Sequence, residues 1–365
     1  MDKFSYMERY GYEQLCFFYD TYTGLKAITC IHSTVLGPSL GGTRFWNYHN
    51  EEDAVEDVLR LARGMTYKNA LAGLPLGGGK SVILGDPAEL RKNPIRREAF
   101  WRAFGRYIEG LSGRYITAED VGTSTQDMVY VSMETRNVAG LPGRSGDPSP
   151  YTALGVYKSI QACCMHVYGD SSVKGKTVAI QGLGNVGYNL CKLLNEGGAS
   201  LIVTDVNDSN VKRAVKEFSA KAVGIDEIYT APCDIYAPCA LGATVNDETI
   251  PKLTCKIVCG AANNVLKDAP IHAKALQERG IVYAPDYLAN SGGVINVSFE
   301  LAEGGYNEEA ALRDIDRIYL RMLDILTISS ETGRLTYETA DRLAEDRIAA
   351  VRNIRSISTR WRNHG

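Results

Sequence analysis

The chain has 365 residues, of which 45% are hydrophobic and 23% charged, and its formal net charge is −3. This length exceeds what one hydrophobic core usually organises, so we expect two domains. The weak negative charge gives no electrostatic reason for a nucleic-acid or anionic-membrane partner, and it favours small polar ligands instead.

The start of the chain carries acidic residues where a signal peptide has a basic and then an apolar run. No apolar stretch approaches the roughly 18 residues that a membrane helix needs. The nine cysteines include no C-x-x-C pair, and the five histidines lack metal-ligand spacing. We therefore expect a soluble cytoplasmic protein with reduced core thiols and no metal site.

The first hundred residues mix strand and helix patterns. Residues 13–19 and 25–32 predict an antiparallel pair of strands, and the glycine-rich residues 36–44 predict a loop that lies close to a ligand. Asn50 can cap a helix that runs from Glu51 to about residue 64 and brings Lys68 near its end.

A glycine triplet at residues 77–79 precedes Lys80, and we interpret it as a tight bend from which the lysine projects. The tripeptide 79–81 matches the end of a phosphate-binding loop of NTPases. That motif also needs a glycine where this chain has Leu74, which argues against an ATPase or kinase. A plain glycine turn with a solvated lysine remains the simplest alternative for this stretch alone.

A helix is predicted over residues 96–110, and within residues 115–123 a short strand ends in two carboxylates, Glu119 and Asp120. Sites collect at the polar ends of strands. Residues 140–150 are rich in glycine and proline, and we place the domain boundary there.

The second domain opens with a helix over residues 151–168 and then a strand over residues 177–181. A G-x-G-x-x-G loop follows the strand directly and opens the next helix, and the second strand ends at Asp205. This spacing predicts a dinucleotide site, in which the glycines admit the pyrophosphate and Asp205 binds the ribose. The glycine loop consists of Gly182, Leu183, Gly184, Asn185, Val186 and Gly187.

Three further strands, at residues 233–239, 256–264 and 281–286, continue the same sheet. Their ends should place Pro238, Asn263, Asn264 and Asp286 near a cofactor. A polar turn over residues 289–297 leads into a helix, a long helix covers residues 307–329, and a last helix starts at Thr336. The fold class is therefore α/β, with an N-terminal α/β domain followed by a Rossmann-type, doubly wound dinucleotide-binding domain.

Taken together, these motifs make the chain similar to the glutamate/leucine/phenylalanine/valine dehydrogenases over nearly its whole length, and most similar to the leucine dehydrogenases among them. The motifs that carry the resemblance are residues 40–42, 65–69, 77–80, 117–123, 181–187 and 284–287. Ser291 departs from it, because leucine dehydrogenases commonly have alanine there.

The resemblance implies a substrate and oligomerisation domain over residues 1–145, an NAD-binding domain over residues 146–330, and a cleft between them. It implies that residues 331–365 return to the first domain as a C-terminal helix. It also implies reversible, NAD-linked oxidative deamination of an L-amino acid to its 2-oxo acid and ammonia, by a homo-oligomer that is octameric in many leucine dehydrogenases.

Residue roles follow from the same resemblance. Lys80 is the catalytic lysine, Asp120 moves protons at the amino group, and Lys68 holds the substrate carboxylate with help from Asn264. The residues assigned to the substrate are Leu40, Gly41, Met65, Lys68, Ala118, Asn264, Val294 and Val297. Those assigned to the cofactor are the glycine loop with Thr152, Asp205, Pro238, Cys239, Ala240, Ala261 and Asn263.

The chemistry also fits these residue types. Adding water to an iminium carbon needs a neutral base, and Lys68 next to Lys80 would lower the pKa of Lys80 toward that range. Asp205 favours NAD over NADP by repelling a 2′-phosphate. Apolar pocket residues favour leucine, valine or isoleucine, and Ala118 disfavours phenylalanine. A phenylalanine or valine dehydrogenase and a non-catalytic dinucleotide-binding protein remain alternatives.

Overall fold

The structure is a computed structural model that describes residues 2–354. Met1 and residues 355–365, the end of the predicted C-terminal segment, lie outside the described part. Two compact units are present. One holds the described residues up to Gly146 and from Leu343 on, and the other holds Asp147–Arg342.

The first unit is built on a five-stranded mixed sheet with the strand order β1-β2-β4-β3-β5. Its strands are β1 (Gln14–Asp20), β2 (Leu25–Ser33), β3 (Ser39–Trp46), β4 (Gly77–Leu84) and β5 (Tyr115–Glu119). Its helices are α1 (Lys3–Tyr10), α2 (Glu51–Leu71), α3 (Pro87–Arg91), α4 (Pro94–Glu109) and α5 (Thr125–Ser132). The antiparallel pairing of β1 with β2 confirms the predicted hairpin.

Both glycine-rich segments of this unit are strands, so the predictions of a ligand-binding loop at residues 36–44 and of a bend at residues 77–79 were wrong. The glycines belong to β3 and β4. They are required by packing rather than by a turn. A methyl group on Gly78 would lie 2.0 Å from the Thr66 amide nitrogen, and one on Gly41 would lie 1.8 Å from the Gly79 carbonyl oxygen.

Helix α2 is capped by Asn50, whose side chain accepts from the Asp53 amide, as predicted. It continues to Leu71, seven residues past the predicted end at residue 64. The extra turns lie over β4, where the absence of a side chain on Gly78 lets the helix approach the strand. One apolar core lies between α2 and the sheet, and a second core, centred on Trp101 of α4, fills the opposite face.

The second unit contains a six-stranded parallel sheet with the order β8-β7-β6-β9-β10-β11. Its strands are β6 (Thr177–Gln181), β7 (Ser200–Thr204), β8 (Lys221–Ala222), β9 (Ile235–Pro238), β10 (Ile257–Val258) and β11 (Val282–Tyr283). The strand order reverses between β6 and β9, which is the point where doubly wound sheets bind ligands. The predicted fold class is confirmed.

The helices of this part of the chain are α6 (Ser149–Tyr168), α7 (Asn185–Glu196), α8 (Asp208–Phe218), α9 (Ala269–Glu278), α10 (Asp286–Ala289), α11 (Gly292–Ser298), α12 (Glu308–Asp316), α13 (Ile318–Thr332) and α14 (Thr336–Ile354). The long helix predicted over residues 307–329 is two helices, because α12 ends at Asp316 and Arg317 stands between them as the C-cap of α12 and the N-cap of α13. In the described part of the chain, none of these helices is long and apolar enough to cross a membrane.

Candidate active site

Lys80 lies in the middle of β4, opposite Cys30 of β2. Residues directly opposite in an antiparallel pair point to the same face, and Cys30 packs with the core under α2. The lysine is therefore directed beneath α2, and it is only 6% exposed. A buried ammonium needs a partner. Its Nζ lies 2.7 Å from Oδ2 of Asp120, which follows β5.

Asp120 is held by two cations. Arg44 of β3 adds a second positive charge, with its Nε 3.5 Å from the same Oδ2. Burial raises the pKa of the Asp120 carboxyl, but Lys80 and Arg44 outweigh burial and hold that pKa below its ordinary value. Asp120 is thus ionised at neutral pH and can orient the Lys80 ammonium or accept a proton from a substrate amine.

The other substrate candidates of the first unit gather around this pair. Leu40 is buried on β3, and Ala118 of β5 lies opposite Gly42. Met65 of α2 covers Gly41, since a methyl group there would lie 3.3 Å from the Met65 Cγ. Lys68 stands half-buried in the last turn of α2. In the first unit these residues lie on α2 and on the face of the sheet that α2 covers, and their contact with a substrate stays a prediction.

The sequence analysis did not identify the residue that caps the C-terminal end of α2. Arg347 of α14 donates to the carbonyl oxygens of Ala70 at 2.6 Å and Leu74 at 2.8 Å. Ala70 belongs to the last turn of α2, where carbonyl oxygens lack the donor of a following helical turn, and Leu74 lies three residues after the helix. No local pattern marks such a long-range cap, so Arg347 could be found only from the folded chain.

The glycine loop of the second unit takes the predicted form. Gly182 has φ +98°, and a methyl group on it would lie 2.7 Å from the Ala240 Cβ. Gly187 packs against the Gly182 carbonyl oxygen, and Gly184 faces open space as the N-cap of α7. Since Gly184 offers no capping side chain, the first amides of α7 suit the pyrophosphate of a dinucleotide.

The ends of the neighbouring strands surround this loop. Asp205, after β7, accepts from the Leu183 amide at 2.5 Å and from the Asn207 amide at 2.7 Å. Cys239, after Pro238 of β9, donates its amide to the Gln181 carbonyl. Burial raises the pKa of the Cys239 thiol to about 12, so it stays neutral. The loop, Asp205 and the 238–240 segment thus form one polar edge of the sheet that fits a dinucleotide.

The remaining candidates of the second unit form two smaller groups. Asn290 donates to the Ala261 carbonyl and to the Asn263 side chain at 2.8 Å, while Asn264 takes the left-handed conformation with φ +52°. Thr152 lies against Gly293, because a methyl group there would lie 2.5 Å from the Thr152 Oγ1.

Val294 and Val297 lie one turn apart on α11, which begins just after Ser291. The hydroxyl of Ser291 is buried and donates to the Leu288 carbonyl, so its polarity is satisfied locally. Asp286, predicted near the cofactor, is buried and accepts from the Val265 amide at 2.8 Å, so its carboxylate ties β11 to the segment after β10.

Cysteines and groups of possible metal ligands can be located among the described residues. All nine cysteines are free. Groups of three or more residues that could hold a metal ion are absent from residues 2–354. The tripeptide 79–81 lies inside β4 and not at the start of a helix, so the described structure contains no phosphate-binding loop of the NTPase kind there.

Two family models match the chain. Residues 16–137 match a Glu/Leu/Phe/Val dehydrogenase dimerisation domain. Residues 143–211 and 203–352 match the Glutamate/Leucine/Phenylalanine/Valine dehydrogenase model. The first match includes Lys80 and Asp120, and the second includes the glycine loop.

Individual relatives agree with these matches. A leucine dehydrogenase of Bacillus subtilis (strain 168) is 57% identical over 359 residues, 98% of this chain and 96% of that protein. A phenylalanine dehydrogenase of Lysinibacillus sphaericus is 45% identical and covers 96% of this chain and 92% of that protein. The crystal structure of L-tryptophan dehydrogenase from Nostoc punctiforme aligns with a TM-score of 0.83 at 42% identity, over 95% of this chain and 99% of that chain.

Proposed function

Since the chain belongs to the glutamate, leucine, phenylalanine and valine dehydrogenase family, we propose that it deaminates branched-chain L-amino acids oxidatively and reversibly, with NAD as the cofactor. Membership makes it an amino-acid dehydrogenase, an oxidoreductase that uses a nicotinamide dinucleotide. The proposal goes beyond family membership in two respects: the substrates are leucine, valine and isoleucine, and the cofactor is NAD rather than NADP.

The reaction needs three events at the amino acid. The bound nicotinamide supplies the hydride acceptor for the Cα hydrogen. Loss of that hydride and of an amine proton leaves an iminium, water adds to its carbon, and ammonia then departs to give the 2-oxo acid. The chain has to supply a group for the substrate carboxylate, a base for the water and a carrier for the amine proton.

The Lys80–Asp120 pair is the observation that carries this proposal. Lys80 is buried, and its Nζ lies 2.7 Å from a carboxylate oxygen of Asp120. The two groups suit proton transfer in a site that is sheltered from water. In the proposed mechanism Lys80 activates the water molecule, and Asp120 exchanges the proton of the amine. Lys68, in the last turn of α2, binds the substrate carboxylate. A non-catalytic dinucleotide-binding protein would have no need of such a buried pair.

An apolar substrate side chain is supported by the residues assigned to it. Leu40 and Ala118 of the first unit are apolar, and so are Val294 and Val297 of the second. We propose that these four residues and Asn264 contact the substrate. A glutamate side chain placed beside Leu40 and Ala118 would be desolvated without a cation, at a cost of several kcal/mol. The higher identity to a leucine dehydrogenase than to a phenylalanine dehydrogenase, 57% against 45%, supports the same choice.

Self-association and location complete the proposal. We propose a homo-oligomer, with an octamer as the form to test, because the match over residues 16–137 is to a family model described as a dimerisation domain. Nine free cysteines suit a reducing compartment, which supports a cytoplasmic enzyme.

The decisive experiment is to follow NADH formation with a panel of L-amino acids. Leucine, valine and isoleucine should drive reduction of NAD, and glutamate should not. A preference for phenylalanine would favour the alternative of a phenylalanine dehydrogenase. If NAD binds but no amino acid reduces it, the non-catalytic alternative holds.

A further inference from the structure

Arg44 connects the candidate active site to helix α2. It lies on β3 opposite Val82 of β4, and its guanidinium stands between two carboxylates. Its NH1 donates to Asp57 Oδ2 of α2 at 2.8 Å, and its Nε lies 3.5 Å from Asp120 Oδ2. The same oxygen of Asp120 contacts Lys80. One carboxylate oxygen is therefore shared between the catalytic lysine and Arg44.

The guanidinium is itself held in place. Asp57 Oδ2 also accepts from the Tyr48 hydroxyl at 2.7 Å, so Arg44 is bound to an acceptor that is fixed from a second side. The side chains of Arg44 and Asp57 are 23% and 14% exposed, which limits screening by solvent. Burial and the hydrogen bond to Asp57 raise the pKa of Tyr48, so this phenol stays neutral.

This inference rests on the proposed function: we propose that Arg44 is a positioning residue that holds the Asp120 carboxylate against Lys80 during proton transfer. Asp57 and Tyr48 hold Arg44 in turn. An arginine suits this role because its guanidinium stays charged at every working pH.

The need for such a residue follows from the reaction. Lys80 must be neutral before it can take a proton from the water, and a neutral Lys80 lacks the charge that stabilises the half-buried Asp120. Arg44 then remains as the cation beside the carboxylate. Among the described residues, the buried Nε of Arg44 has no hydrogen-bond acceptor, and Asp120 Oδ2 stands 3.5 Å from it. A small movement of Asp120 toward Arg44 would complete this hydrogen bond. Arg44 thus keeps the carboxylate in the site through the step in which Lys80 is neutral.

The charged and titratable groups around Asp120 define what a pH profile would report. They are Lys80 from β4, Arg44 from β3, Asp57 from α2, Tyr48 after β3, and Tyr115 from β5. Arg44 favours the ionised carboxylate, so its removal makes Asp120 bind protons more tightly. The activity that depends on ionised Asp120 is then lost at a higher pH than in the wild type.

The test compares Arg44→Gln and Arg44→Lys with the wild type. Arg44→Gln should lower kcat by about a hundredfold through a misplaced carboxylate. It should leave KM for the amino acid nearly unchanged, and it should move the acid limb of the pH profile to higher pH. Arg44→Lys keeps the charge, so its acid limb should stay near that of the wild type while kcat recovers in part.

A matched control is Arg97→Gln, which breaks a comparable ion pair with the buried Asp127 in the same unit. It should lower the unfolding temperature without moving the pH profile. If Arg44→Gln does not fold, Asp57→Asn tests the same chain of contacts: it leaves Arg44 without its anchor, so kcat should fall while KM for the amino acid stays nearly unchanged. A folded Arg44→Gln with wild-type kcat and pH profile overturns the inference. Failure of the wild type to oxidise any amino acid would instead reject the proposed function.

Discussion

Gly78 of β4 and Thr66 of α2 approach each other so closely that a methyl group on the glycine would lie 2.0 Å from the threonine amide nitrogen. The obstacle is backbone, so it cannot move aside as a side chain would. Gly78→Ala should therefore force α2 off the strand and lower the free energy of unfolding by at least about 3 kcal/mol, at the upper end for overpacking. Chemical denaturation measures this loss.

Gly64→Ala is the control for that prediction. Gly64 is an exposed residue within α2 with nothing within 4 Å of an added methyl group. Glycine costs about 0.5–1 kcal/mol relative to alanine inside a helix, so this change should stabilise the protein by that amount. Equal effects of the two substitutions would show that packing between α2 and β4 is not what requires Gly78.

These glycines also show why part of the fold could not be predicted from the sequence. The tight turn at Gly182 and the close packing of Gly187 agree with the prediction, because the strand, the turn and the helix that they join follow one another directly in the chain. The role of the loop in binding a cofactor stays a prediction. Gly78 is determined by α2, and Gly41 by β4. Only the folded sheet brings those segments together, so a glycine-rich strand looked like a loop.

In the candidate active site, too, some features could be predicted from the sequence and others could not. Lys80 and Asp120 were found from their motifs, and their contact is present in the structure. Arg44 stood in a recognised segment, yet its bonds to Asp57 and Asp120 depend on the register of β3 between its neighbours. Charged partners on separate elements leave no spacing rule in a single sequence, which is why this part of the site emerged only from the structure.

Lys80→Ala should nearly abolish deamination. Loss of a general base costs about two to four orders of magnitude in rate. NAD affinity, measured by direct titration, should be retained, because Lys80 belongs to the unit that lacks the glycine loop. Lys68→Ala should act mainly by raising KM for the amino acid. Lys26→Ala, an exposed lysine on β2, serves as the control and should leave both quantities unchanged. Most of the wild-type turnover surviving in Lys80→Ala would remove this lysine from the mechanism.

The cofactor should be NAD rather than NADP. Asp205 ends β7 beside the glycine loop, and its carboxylate would repel a 2′-phosphate placed there. Asp205→Ser should therefore raise kcat/KM with NADP relative to NAD. Asp208→Ser removes the same charge from the exposed start of α8 and should change the ratio much less. Equal use of the two cofactors by the wild type would contradict this assignment.

Ala118 should restrict the size of the substrate side chain. It lies on β5 opposite Gly42, on the strand that leads to Asp120 two residues later. The Ala118 methyl group is therefore close to the carboxylate that we propose to exchange the proton of the amine. Removing one methyl group from an apolar pocket changes discrimination by about 1–3 kcal/mol. Ala118→Gly should accordingly raise kcat/KM for phenylalanine relative to leucine by at least about tenfold.

Steady-state kinetics with leucine, valine, phenylalanine and glutamate measure this change, and Ala27→Gly is the matched control. Ala27 is a buried alanine on β2, remote from Asp120 in the sheet order. Both substitutions put glycine into a strand and should cost about 0.5–1 kcal/mol of stability. Only Ala118→Gly should alter the preference, because only its methyl group borders the proposed pocket. If the two variants show the same preference as the wild type, Ala118 contributes to the sheet and not to the choice of amino acid.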